Sequence, residues 1–279
     1  MGGYAGYKVT TGDSNAFLGN SAGYNTTTGR FNIAIGDGAM HGTTGNASER
    51  TVAIGYRAGY VLDGGHDNIL LGFETGTAIT SGGSNIALGK RAAKSITTGS
   101  RNIAIGQSAL DLADTESDNI AIGYDALGGS VAGGEKNIAI GNYTLDALTS
   151  SDQTVAIGHE AGSAITTGSW NTAVGDSSMK SMSSGYKNTA LGYQSLKATT
   201  GSSNTAVGSE AIRGSGTGPQ NTAVGAQAGY AMTDGSNNTL LGFQAGNNIT
   251  TGSNNVVIGM ADVTATGSDQ LSISSGDGS

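Results

Sequence analysis

The residues of this chain that are capable of chemistry stand at spacings that do not complete a site. His159-Glu160 opens like the His-Glu-x-x-His pair of a zinc-protease helix, where two imidazoles one turn apart hold the metal and the carboxylate activates water; Ser163 stands where the second His is required. Gly89-Lys90 has the Gly-Lys step of a phosphate-binding loop, but Ser84 takes the first glycine position and Arg91 the hydroxyl position. His41, His66 and His159 share no common place in the repeat described below, so no metal triad follows. Asp63, Asp67, Asp114 and Asp118 fall at turns and offer oxygen ligands, yet the Gly-Gly-x-Gly-x-Asp pattern of calcium-binding rolls is absent. With no Cys, thiolate metal sites, disulfides and thiol redox chemistry are excluded. The expectation is a chain that is not an enzyme, with no catalytic residue, no metal and no cofactor.

Two other residue sets are suited to binding. Tyr56, Phe73, Tyr124, Tyr193 and Phe243 each follow a recurrent glycine, and Trp170 stands alone in a turn before Asn171. Their faces would suit sugar rings, and they serve equally to pack over neighbouring turns. Thr27, Thr80, Thr97, Thr166 and Thr250 form a column, with Thr28, Thr98, Thr167 and Thr251 adjacent in sequence and so directed to the opposite side. A Thr array on a β-solenoid would suit ice binding, the alternative function class. Thr is also an ordinary strand and turn residue.

Composition narrows what can hold such residues. The 279 residues include 49 Gly and one Pro, with 12% charged and 5% aromatic residues, too few large side chains for a thick globular core. Collagen is excluded because Gly does not recur every third residue. The net charge of −8, with Lys and Arg scattered, argues against nucleic acid as a partner. No apolar stretch reads as a membrane insertion, and no signal peptide is visible at Met1–Gly6.

The positioning element is a repeat. A glycine closes an apolar pentad fifteen times from Gly19 to Gly259; eleven of the fourteen intervals are 17 residues, and the others are 19 (Gly36 to Gly55), 18 (Gly123 to Gly141) and 16 (Gly192 to Gly208). Such spacing marks a solenoid whose coils stack on their neighbours. Four residues before the glycine stands Asn15, Asn32, Asn68, Asn85, Asn102, Asn119, Asn137, Asn171, Asn188, Asn204, Asn221, Asn238 or Asn255, replaced only by Thr51 and Thr154. This column predicts a structural ladder of side-chain amides passing hydrogen bonds from coil to coil.

Two before the glycine is usually Ala, one before is Ile, Val or Leu, and three before is mostly Ile or Val, so both faces of the strand are apolar. A second apolar segment and a turn such as Thr-Thr-Gly-Ser complete each coil. The expected fold is all-β: a parallel β-solenoid, a flattened roll of about fifteen 17-residue coils with two short strands per coil and an Ala-and-Gly interior. The solenoid is expected over residues 1–259, with 260–279 as an extension leading out of it.

The Asn102-Ile103-Ala104-Ile105-Gly106 and Asn221-Thr222-Ala223-Val224-Gly225 pentads resemble the head repeats of YadA-like trimeric autotransporter adhesins. Thr251 to Gly259, followed by Ser268-Asp269-Gln270-Leu271-Ser272-Ile273, is similar to shaft segments of bacteriophage tail fibres. The resemblance spans residues 15–259. It implies a left-handed β-roll wound three together, placed on a cell surface or virion, that spaces or displays sites for host adhesion. The implied partners are two further copies of the chain and a cell-surface glycan or host receptor. The apolar strand columns are expected to face the shared axis, and Thr172, Thr189, Thr205, Thr222 and Thr239 predict a wetter stretch of it.

Overall fold

Each pentad folds into a three-residue strand because β-branched residues flank a small one and a glycine stops the run. The computed structural model describes residues 2–130 and 133–274. Its strands are β1 (Ala16–Leu18), β2 (Ile33–Ile35), β3 (Val52–Ile54), β4 (Ile69–Leu71), β5 (Ile86–Leu88), β6 (Ile103–Ile105), β7 (Ile120–Ile122) and β8 (Ile138–Ile140). They continue as β9 (Val155–Ile157), β10 (Thr172–Val174), β11 (Thr189–Leu191), β12 (Thr205–Val207), β13 (Thr222–Val224), β14 (Thr239–Leu241), β15 (Val256–Ile258) and β16 (Leu271–Ile273).

The chain forms two compact units, Met1–Ala139 and Ile140–Ser279. In the first, β1 to β7 pair in chain order, all parallel and with the repeat columns opposed, as in Ile86↔Ile103 and Ala87↔Ala104. In the second, β9 to β16 do the same. Both are parallel β-solenoid, about fifteen turns in all, with no helix among the described residues.

Two expectations need correction. Only one strand forms per coil. The segment after the glycine is a chain of turns with left-handed residues two and four positions on, for example Ser108 (φ 56°) and Leu110 (φ 53°), a conformation incompatible with a strand. Its backbone still ties the coils together: the Ser108 N–H donates back to Lys90 O at 3.0 Å and the Leu110 N–H forward to Ala126 O at 3.0 Å. The second correction concerns the segment after Gly259, which adds another coil, since β16 pairs with β15 through Val256↔Leu271 and Ile258↔Ile273. Residues 275–279 of that segment lie outside the described residues.

The interior is fuller than Ala and Gly alone. The central strand residues, such as Ala34, Ala104 and Ala190, are fully buried, as are Leu110, Leu127, Leu145, Met179 and Leu196 four after the glycine and Leu62, Ile79, Ile96, Leu148, Ile165 and Met182 seven after it. Where the central strand residue is large, the turn beside it is glycine. A Cβ on Gly76 would come within 2.9 Å of Leu70 Cδ2, and one on Gly59 within 2.9 Å of Leu70 Cδ1. Leu240 stands likewise between Gly229 and Gly246, and Phe17 between Gly6 and Gly23. The section of a coil is thus conserved in volume while its contributors change.

Candidate functional site

Because side chains alternate along a strand, burying the central Ala sends both flanking residues outward together. Each strand therefore presents a pair on its outer face: Ile33 and Ile35 on β2, Ile69 and Leu71 on β4, Val256 and Ile258 on β15. Ile33 is 39% exposed, Leu191 47% and Leu241 48%. None of the sixteen strands contains a charged residue. Two columns of aliphatic side chains thus run along the outer strand face from β2 to β7 of the first unit, and the column next to the glycine is aliphatic throughout the second, which is rare for a surface left in water.

On β10 to β14 the first column changes to Thr172, Thr189, Thr205, Thr222 and Thr239, aligned in register from strand to strand. Each hydroxyl lies on the outer face two residues before Val174, Leu191, Val207, Val224 or Leu241. Among the described residues, these five hydroxyls make no hydrogen bond within the chain.

The other Thr column has its hydroxyls engaged. Thr27 Oγ1 donates to Asn46 O at 3.3 Å, Thr80 Oγ1 to Thr97 O at 3.1 Å, Thr166 Oγ1 to Ser183 O at 3.1 Å and Thr250 Oγ1 to Ala265 O at 3.2 Å. Thr97 Oγ1 donates to the Asp114 carboxylate. These groups fasten one coil to the next.

The Asn column makes a continuous set of buried bonds within each unit. Asn68 Oδ1 accepts the Asn85 backbone N–H at 3.0 Å, and Asn85 Nδ2 donates to Gly99 O at 2.9 Å; the pattern recurs from Asn171 to Asn188 (2.9 Å) and from Asn221 to Asn238 (3.0 Å). It survives the irregular coils: Asn32 Oδ1 reaches Thr51 N at 3.0 Å across 19 residues, Asn119 reaches Asn137 N at 2.9 Å across 18, and Asn188 reaches Asn204 N at 2.8 Å across 16. Where Thr51 and Thr154 replace Asn, the residue three before is Ser48 or Ser151; before the Asn residues it is Gly, except for Glu116 before Asn119. Ser151 Oγ donates to Gly168 O at 2.6 Å, the bond an Asn amide would make. A Cβ at several of these glycines would crowd the amide, most at Gly185, where it would come within 2.7 Å of Asn188 Nδ2, while Asn119 keeps its bond to Gly134 O beside Glu116.

The six aromatic candidates do not converge. Tyr56 and Phe73 meet, their rings stacked at 5.1 Å, with the Arg57 guanidinium 5.4 Å from the Tyr56 ring. Trp170 donates its Nε1–H to Gln153 Oε1 at 2.8 Å and has Lys187 Nζ 5.8 Å from its ring, while remaining 52% exposed. Gln194 Nε2 donates to the Tyr193 hydroxyl at 2.9 Å; Tyr124 and Phe243 lie on the surface. A different column gathers more rings. Tyr7, Tyr24, His41 and Tyr60, each five after a coil glycine, stack at 5.3, 5.0 and 5.0 Å, with Arg57 4.8 Å from Tyr60. Its signal was their common offset in consecutive repeats. The rings cover one another's faces and leave their edges to solvent.

Paired charges sit at the corner before the Asn column. Arg101 binds Asp118 through two bonds of 2.6 and 2.8 Å, and Arg50 binds Asp67 through 2.7 and 3.0 Å. These hydrogen bonds hold the Asp118 and Asp67 carboxyls below the usual carboxylate range. Burial pushes the Asp111 carboxyl up, against the attraction of Arg91 and Lys94. Among the described residues, no group of three or more His, Asp and Glu is placed to hold a metal, and no helix is long and apolar enough to cross a membrane. The chain matches no protein family scanned, no curated protein searched and no solved structure searched.

Proposed function

We propose that this chain is a structural, adhesive fibre segment: a homotrimeric β-solenoid that spaces or displays host-binding or surface-binding sites from a cell surface or virion. The observation that carries the reading is the outer strand face, with two aliphatic columns in the first unit, one aliphatic column beside the five Thr of β10 to β14 in the second, and no charge in any strand. With strands about 4.8 Å apart and three residues of about 3.3 Å each, β1 to β7 offer roughly 300 Å² and β9 to β16 roughly 400 Å². Each face matches in size the largest, often functional, apolar patch of a monomer, ~300–600 Å², and is about half of the ~800 Å² per partner of a standard interface. Identical, uniformly repeating faces suit copies of the same chain, and three such faces close around one axis.

Light scattering in dilute native buffer tests this reading, with three times 27.5 kDa expected. Charging the face with Ile103→Lys and Ile105→Lys should lower that mass while leaving the single-chain solenoid folded. A monomeric wild-type chain would overturn the proposal. Lateral adhesion rests on the surface aromatics; loss of glycan-array binding in a trimeric Trp170→Ala, Tyr193→Ala variant is the expected sign.

A second reading, ice binding, is favoured by the five unbonded Thr hydroxyls on β10 to β14, and requires that face to be free. Thermal hysteresis from a monomeric chain would select it.

A further inference from the structure

Coils with equivalent faces create a problem for self-association: if every level presents the same aliphatic pair, one copy can slide past another by a whole coil with almost no change in contacts. From β2 to β9 the first outward column holds only Ile and Val, and the second is Ile or Leu throughout. A shift by one coil replaces Ile by Ile or Val. Side chains that are merely apolar and of similar size specify register weakly.

The column breaks this uniformity once. Thr172, Thr189, Thr205, Thr222 and Thr239 occupy five consecutive strands, flanked by Val155 on β9 and Val256 on β15. Their hydroxyls point away from the chain's own interior and have no partner in it among the described residues. On an exposed face water would satisfy them. Covered by another copy, they need one another, because a hydroxyl sealed against aliphatic carbon loses its hydration with no replacement. In alignment, Thr meets Thr on all five levels. A slip of one coil sets a Thr against Val at each end of the block, and every further coil adds another mismatched level at each end. A polar residue at an inward position of an otherwise apolar seam sets register in repetitive assemblies such as coiled coils.

We infer that the five-threonine block is the register key of self-association: it selects, from many nearly equivalent alignments, the one in which copies lie level. This rests on the homotrimer proposed above and adds a role that the aliphatic columns do not supply.

The chain has no Cys, so an introduced thiol reports position cleanly. Two full-length single-cysteine proteins, Val174→Cys and a mass-tagged Leu191→Cys, are co-expressed and mildly oxidised. The aligned assembly joins like positions; a one-coil slip joins 174 to 191. The offset disulfide should be roughly tenfold or more below the aligned ones. Changing all five Thr to Val in both proteins should bring the offset product level with the aligned product while the light-scattering mass stays that of the trimer. A milder variant moves the block instead: Thr172→Val with Val256→Thr, placed in the Leu191→Cys chain, should make its offset product with an unshifted Val174→Cys chain the dominant mixed species. Offset product as abundant as aligned in the parent pair, or no offset product in either Thr variant, overturns the key while leaving the trimer standing. A trimeric mass without any disulfide at 174 removes this face from the interface and the key with it; a monomeric mass overturns both readings.

Discussion

Asn85 and Asn102, equivalent residues of successive coils, are joined twice: Asn85 Oδ1 accepts both the Asn102 backbone N–H at 3.0 Å and its Nδ2 at 3.1 Å. Both side chains are buried, and Asn102 Nδ2 also donates to Glu116 O at 2.8 Å. Asn102 Oδ1 in turn accepts the Asn119 N–H at 3.0 Å. Asn102→Ala would therefore strip a buried N–H and a buried carbonyl of their partners. A loss of at least about 2 kcal/mol is expected, read as a lower urea midpoint at unchanged slope.

The exchange of Asn and Gly for Thr and Ser should behave as a coupled pair. Thr154→Asn alone places an amide against the Ser151 Cβ and should destabilise, whereas Thr154→Asn with Ser151→Gly rebuilds the common arrangement. A double-mutant cycle should return about 1 kcal/mol of favourable coupling, and additive effects would count against the crowding argument.

Interior volume sets a third test. Leu70→Ala leaves a void between Gly59 and Gly76 that neither can fill, and about 2 to 5 kcal/mol should be lost. Ala104→Leu makes the opposite error, because Ala93 and Leu110 already occupy the flanking turn positions; about 1 to 3 kcal/mol is expected from overpacking. Thermal unfolding of the two variants checks both.

Acid should weaken the corner pairs. The folded Asp67 and Asp118 carboxyls lie below their ordinary values, so their contribution is complete at neutral pH and is lost as pH falls through those depressed values. Asp118→Asn should reduce stability at neutral pH and narrow its gap to the parent protein in acid. Melting temperature followed against pH shows it.

Asp111 has the opposite sign. Its folded carboxyl is raised, so the unfolded chain ionises first and the charge works against folding at neutral pH. Asp111→Asn should raise the melting temperature near neutrality, and the difference should vanish below the carboxylate range.

The solenoid, its spacing and the small central residue of each strand are legible in the sequence, because a strand's alternation and a 17-residue recurrence survive in the letters. The second wall of the coil is not. Position four after the glycine reads Gly59, Gly76, Ala93, Leu110, Leu127, which looks like an apolar strand column interrupted by glycine. All five residues are left-handed. For Leu110 that conformation costs about 1 to 2 kcal/mol, while burying the side chain contributes about 1.5 to 3, so the packed leucine holds a backbone shape more natural to glycine. The alternation of Gly with Leu was the available sign. The outward direction of the aliphatic columns was likewise ambiguous, since a strand apolar on both faces does not declare which face is inside. The stacked Tyr7, Tyr24, His41 and Tyr60 column shares an offset rather than a residue type, and a search for identical residues passes over it.

The Asn bond keeps its length whether the intervening chain has 16, 17, 18 or 19 residues. In the 19-residue coil Thr43, Thr44 and Gly45 lie exposed between His41 and Asn46, and the buried Asn46 pairs with Thr26 of the coil before. What joins the coils and what they show to the outside are thus under separate control. Such a chain can acquire a new external loop at this outer turn with the bond of its Asn column kept.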